Sequence, residues 1–109
     1  MNRPTRWHSD KQEKSIVKAV GGKQTSNSGA TPFVKGDVLL DEWLIEAKTT
    51  TSERENFTIK RDWLRKMQEE QFAMGKSYSA LAFSFGDGEN HYVISEKLFK
   101  QFLDLLKGE

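Results

Sequence analysis

The sequence predicts an α/β fold, a mixed β-sheet flanked by helices, from three observations. Residues 37–48 form two short, largely apolar runs on either side of Asp41-Glu42, as two strands joined by a tight turn and covered on both faces would. A segment with helical spacing, 59–74, separates those runs from a nearly continuous apolar stretch at 78–85. Strand, helix, strand in that order implies a right-handed crossover and parallel pairing. Finally, Leu98, Phe99, Phe102, Leu105 and Leu106 form the wide apolar face of one last helix.

Taken in order, residues 1–8 show no periodicity and are expected to be mobile or to fold only onto a partner. Ser9 is a good N-cap and Gln12, three positions on, completes a capping box, so a helix is expected from about Asp10. Its inward face is Ile16, Val17 and Val20. Glu13 belongs to that face, while Lys11, Lys14 and Lys18 turn away. Gly21-Gly22 ends this helix. Residues 23–26 can form a short strand, and 27–32 are turn chemistry throughout.

The two runs at 37–48 read as a hairpin turning at Asp41-Glu42. A turn centred there pairs Leu40 with Trp43, Leu39 with Leu44, Val38 with Ile45 and Asp37 with Glu46. Val38, Leu40, Trp43, Ile45 and Ala47 then share one face, and Asp37, Leu39, Leu44, Glu46 and Lys48 the other. A sheet with apolar residues on both faces is usually covered on both. Directly opposed like charges destabilise a sheet, with Cβ atoms roughly 5 Å apart. The Asp37–Glu46 pair therefore asks for a cation between the two carboxylates or a shared proton, and Lys48 adds an ammonium on the same face.

Residues 49–56 are polar and aperiodic, a loop whose hydroxyls and Arg54 can meet a sugar-phosphate backbone or simply be solvated. Trp63, Leu64, Met67 and Met74 make the buried stripe of the next helix, which Gly75 closes. Lys60 and Gln71 lie on or beside that stripe, and the Lys60 stem can snorkel along the core edge. Residues 78–85 form a strand inside the sheet, 86–90 a hairpin turn and 91–94 the returning strand. His91 opens that edge strand and reads as solvated. Ser95 caps the last helix.

At 109 residues the chain is long enough for one small core. Seventeen basic against sixteen acidic side chains leave the whole-chain charge uninformative about nucleic acid. Arg3, Arg6, Lys11, Lys14, Lys18 and Lys23 nevertheless load the first quarter with positive charge. The absence of cysteine excludes disulfides and thiolate metal sites. No apolar run approaches the ~20 residues of a membrane span, and the polar start lacks a signal-peptide core. A soluble, cytoplasmic protein is expected.

Asp37 followed by Glu46-x-Lys48 on the next strand resembles the PD-(D/E)xK nuclease signature. The lead-in Ser26-Asn27-Ser28-Gly29 before Gly36-Asp37 is similar to that of the archaeal and phage Holliday-junction resolvases of this superfamily. Gly36 stands where the pattern's proline would be. The order helix, strand, strand, strand, helix, strand agrees with the αβββαβ core of the restriction-endonuclease-like fold, with a further strand and C-terminal helix appended. The resemblance spans roughly residues 10–106, and residues 9–109 would form a single nuclease domain behind the mobile segment 1–8.

The resemblance implies Mg²⁺, with Mn²⁺ as a substitute, held by Asp37, Glu46 and the Ala47 carbonyl, a hard ion suited to such oxygen donors. Lys48 would orient the attacking water or stabilise the oxyanion. Glu13 would complete the shell or bind a second ion, although an acid at a helix start is also favoured by the macrodipole. Ser26 or Ser28 would touch a phosphate, and Arg54, Lys60 and Gln71 would face DNA. No triad competes, since neither His8 nor His91 has a spaced nucleophile and acid around it. The implied function is a Holliday-junction resolvase, a homodimer cutting four-way junctions. A restriction- or repair-type endonuclease acting on duplex DNA, or a non-catalytic DNA-binding or structural domain, remain open.

Overall fold

The structure, a computed structural model, describes residues 5–25 and 37–108. Its element order is α1 (Thr5–Val20), β1 (Lys23–Gln24), β2 (Asp37–Leu40), β3 (Trp43–Lys48), α2 (Arg61–Ala73), β4 (Tyr78–Phe83), β5 (His91–Val93) and α3 (Glu96–Lys107). The five strands form one mixed sheet in the order β1-β2-β3-β4-β5. Only β3 and β4 are parallel; the other neighbours run antiparallel. The protein is thus α/β, with three helices and a five-stranded mixed sheet. Ser26 and Ser28, and the turn expected at 27–32, lie outside the described residues.

The hairpin register is the one the turn at Asp41-Glu42 dictates, with Asp37 opposite Glu46 and Leu40 opposite Trp43. Asp41 takes the left-handed conformation, φ 48°. Aspartate tolerates this better than most residues, which suits it to a two-residue hairpin turn. At the end of α1, Gly21 and Gly22 have φ of 93° and 88°. A Cβ on Gly22 would collide with the Leu39 carbonyl oxygen, so the chain can turn tightly into β1 only where no side chain stands. Ser95 accepts a hydrogen bond from the Leu98 amide at 3.1 Å, the expected N-cap of α3.

Both sheet faces are covered. Ile16 of α1 packs with Val38, Ile45 and Ala82 on one face. Met67 of α2 packs with Leu44 and Leu81 on the other, where Trp63, Leu64, Met74 and Phe83 complete the layer. Ile16, Val38, Leu44 and Leu81 are the largest wholly enclosed side chains, each contributing about 1.5–3 kcal/mol by leaving water.

Three expectations need correction. α1 extends back at least to Thr5, so Ser9 is not its cap and Gln12 is not a capping-box partner. The Gln12 amide is instead buried and donates to the Lys48 carbonyl at 2.8 Å and to Asn90 Oδ1 at 3.1 Å. The inward face of α1 is accordingly Gln12, Glu13 and Ile16, with Val17 half-buried against the same core as expected, while Val20, beyond the part of the helix that meets that core, is exposed. The strands are also shorter than expected. β1 stops at Gln24, β4 at Phe83 and β5 at Val93.

Candidate metal centre

The site begins with the hairpin. Pairing Asp37 with Glu46 sets two carboxylates side by side on the sheet face that α2 covers. Asp37 is 3 % and Glu46 9 % exposed, so water screens them weakly. Asp37 is held at the strand start by its own amide, which donates to Thr25 Oγ1 at 3.2 Å, and by its carbonyl, which accepts from the Thr25 amide at 2.9 Å.

α2 brings a third acid. Carboxylate oxygens of Asp37, Glu46 and Glu70 lie within 4.8 Å of one another. Glu70 follows Met67 by three positions, so the turn of helix that seats Met67 in the core also aims Glu70 at the sheet. Sequence reasoning missed it because Glu70 lies at the edge of the apolar stripe in a stretch rich in Gln and Glu. The i, i+3 relation to Met67 was the available signal.

The electrostatics are those of acids held close together and largely shielded from solvent. The Asp37 carboxyl is pushed up to about 9, chiefly by burial and then by the charges of Glu46, Glu70 and Glu13, with Lys48 opposing. Glu46 is raised by burial, against the pull of Lys48 and Lys66. Glu70 is raised by burial and by Glu46, while hydrogen bonding with Asp37 lowers it. With every carboxyl ionised, Glu70 Oε2 is buried without a donor. A proton on Asp37 can supply one, and so can a cation. Either a proton or a cation could relieve the crowding, and three hard oxygen donors are of the kind that suits Mg²⁺ or Mn²⁺.

Lys48, at the end of β3, stands beside the cluster. Its Nζ is 3.9 Å from Glu46 Oε2 and 4.6 Å from the centre of the Trp63 ring. Ala47 lies between Glu46 and Lys48 with its side chain on the α1 face. Glu13 is buried and accepts from Gln24 Nε2 at 3.1 Å. Burial raises its carboxyl most, Gln24 lowers it and Asp10 raises it again. Its charge reaches Asp37, yet it is not one of the three clustered acids.

The remaining candidates divide by place. Lys60 Nζ lies 5.7 Å over the same Trp63 ring as Lys48, which puts it at the rim of the site. Arg54 is exposed in the loop after β3, its Nε donating to Ser52 Oγ at 3.3 Å and its amide to the Phe85 carbonyl at 2.8 Å. Gln71 is spent within the fold: it accepts from Ser79 Oγ at 2.6 Å and donates to the Lys76 carbonyl at 3.3 Å. Those bonds tie the end of α2 to the start of β4. The structure therefore brings together Asp37, Glu46 and Lys48, adds Glu70, and leaves Gln71 outside the cluster. His91 is exposed and makes ring contacts with Phe83 and Phe85. Among the described residues no helix is long and apolar enough to cross a membrane. Searches of family models, curated proteins and solved structures find no significant match to this chain.

Proposed function

We propose that this protein is a divalent-metal-dependent endodeoxyribonuclease of the PD-(D/E)xK type, built on a restriction-endonuclease-like core, that hydrolyses phosphodiester bonds in branched DNA. The observation that carries the reading is the convergence of three carboxyls, buried Asp37 and Glu46 and half-buried Glu70, with the Lys48 ammonium beside them. Asp37, Glu46 and Glu70 would hold Mg²⁺ or Mn²⁺ together with the Ala47 carbonyl, and Glu13 would tune the charge on Asp37 from beyond the ligand set. When bound, the ion offsets charge building on the scissile phosphate and lowers the pKa of a coordinated water.

Lys48 supplies fixed positive charge where negative charge grows on the phosphate, in a setting of low dielectric where it acts strongly. Lys60 at the rim and Arg54 in the loop after β3 would meet backbone phosphates, which favours recognition of shape over bases. Ser26 and Ser28 keep the phosphate-contacting role that the sequence suggests for them. Intracellular DNA is the expected substrate, and a four-way junction its expected form.

The partner across α3 is a second copy of this chain. Phe99, Phe102, Leu103, Leu105 and Leu106 are all exposed, and such a patch on a soluble monomer is commonly an interaction surface. In an antiparallel pairing centred between Phe102 and Leu103, Phe99 of one copy lies over Leu106 of the other. Glu96, in the first turn, then comes near Lys107, in the last turn of the second copy. Such a pairing would bury a shared apolar stripe and set unlike charges at its ends.

The test is incubation of the protein with four-way junction and linear duplex DNA, with Mg²⁺, with Mn²⁺ and with chelator. Metal-dependent cutting of the junction in preference to the duplex is expected. Equal cutting of both would point to a restriction- or repair-type endonuclease, and no cutting under either metal to a non-catalytic domain.

A further inference from the structure

The Lys48 ammonium has two places to rest, and it occupies the less obvious one. Three acidic side chains stand within its reach, yet its nearest carboxylate oxygen, Glu46 Oε2, is 3.9 Å away. A seated ammonium–carboxylate hydrogen bond is about 2.7–2.9 Å. Over the Trp63 ring, at 4.6 Å from the centroid, it lies well inside the roughly 6 Å range of a cation–π contact. The ammonium is therefore held against the indole and kept beside the carboxyls.

Trp63 is built to stay in place. It packs beside Leu44, Met67 and Leu81 of the core and 6.1 Å from the Phe57 ring. It also issues from the first turn of α2, the helix that delivers Glu70. Ring and acid thus move together, and the ammonium is fixed relative to both.

The consequence concerns the ion. Lysine carries a compact charge on a flexible stem. Without its platform it would swing into the acids and compensate them, as an internal cation competing with any external one. We infer that Trp63 is a positioning residue that keeps the Lys48 ammonium out of the Asp37–Glu46–Glu70 cluster, so that the cluster stays open to a divalent cation. This rests on the metal-site reading of those three acids.

The test is Mn²⁺ affinity, read by electron paramagnetic resonance on the full chain without DNA. Trp63→Leu weakens Mn²⁺ binding by about tenfold, the shift expected from removing a cation–π contact of ordinary strength. Adding Lys48→Met to that variant returns the affinity to that of Lys48→Met alone, which a merely structural role of Trp63 would not do. Trp63→Phe keeps an aromatic face and stays within about threefold of the parent. A second measurement needs no variant. In the ion-free protein the Lys48 ε-methylene protons resonate upfield, shielded by the indole ring.

Equal Mn²⁺ affinity in Trp63→Leu and the parent, failure of Lys48→Met to reverse the loss, or Lys48 protons at unshifted positions would each overturn the inference. If Trp63→Leu does not fold, the proton shift decides. A parent protein that binds no Mn²⁺ would remove the metal-site reading itself, a result distinct from all of these.

Discussion

Asp37 concentrates the chemistry at the scale of single residues. Its carboxyl binds a proton up to about pH 9 in the folded, ion-free protein, against an ordinary value of 3.8. Between those limits the folded state holds more protons than the unfolded one, so stability falls as pH rises from about 4 to about 9. The ion-free melting temperature is expected to drop across that window, and the rise produced by Mg²⁺ to grow across it, since bound carboxyls must be deprotonated. Thermal scans at pH 5, 7 and 9 check this; a flat profile would mean the acids are not confined together. Asp37→Asn should abolish cleavage and metal binding while stabilising the ion-free protein at pH 8, by about 1–2 kcal/mol or roughly 5–10 °C. Glu70→Gln should weaken Mn²⁺ at least about tenfold with the fold intact, measurable by calorimetry; unchanged affinity would take Glu70 out of the ligand set. The Asp37–Glu46 pair was legible in the sequence because a two-residue turn leaves only one register. Glu70 was not, because its i, i+3 relation to Met67 is a weak signal that helical acids aimed at water share.

Among the elements, the α1-to-β1 turn is the tightest joint. Gly22 combines a φ of 88° with a backbone carbonyl, that of Leu39, where its Cβ would stand. That carbonyl belongs to the β1–β2 pairing, Lys23 opposite Leu39. Neither side can give way without unpairing the strand. Gly22→Ala should therefore cost about 2–4 kcal/mol in urea unfolding, whereas Gly75→Ala, with open space around it, should cost only its backbone strain. The helix ends marked by Gly21-Gly22, Gly75 and Ser95 were all readable, since each depends on a few adjacent residues. The start of α1 was misread for the same reason. Ser9 and Gln12 are a plausible cap in isolation, but Gln12 is recruited by the carbonyls at the ends of β3 and β4, which lie 36 and 70 positions away in the chain.

For the whole molecule, the exposed apolar face of α3 is what assembly would act on. Leu106 is 74 % exposed, so Leu106→Asp should leave the monomer's stability within about 0.5 kcal/mol while converting a dimer to monomer in sedimentation velocity. A parent chain that sediments as a monomer at all accessible concentrations would remove the second copy as its partner. The stacking of Trp43 on Phe102, ring centres 6.3 Å apart, fixes α3 near the hairpin turn, at the far end of β3 from Lys48. The sequence by itself determined the order of elements, the hairpin register and the pairing of Asp37 with Glu46. Each of these follows from periodicity and turn chemistry, which act between near neighbours in the chain. Only the tertiary structure decided that Glu70 joins those acids, that Lys48 rests on Trp63 and that Gln71 is absorbed into the fold. Such meetings depend on how helices lie across a sheet, and the free energy that sets that angle is spread over the whole core, outside any local pattern.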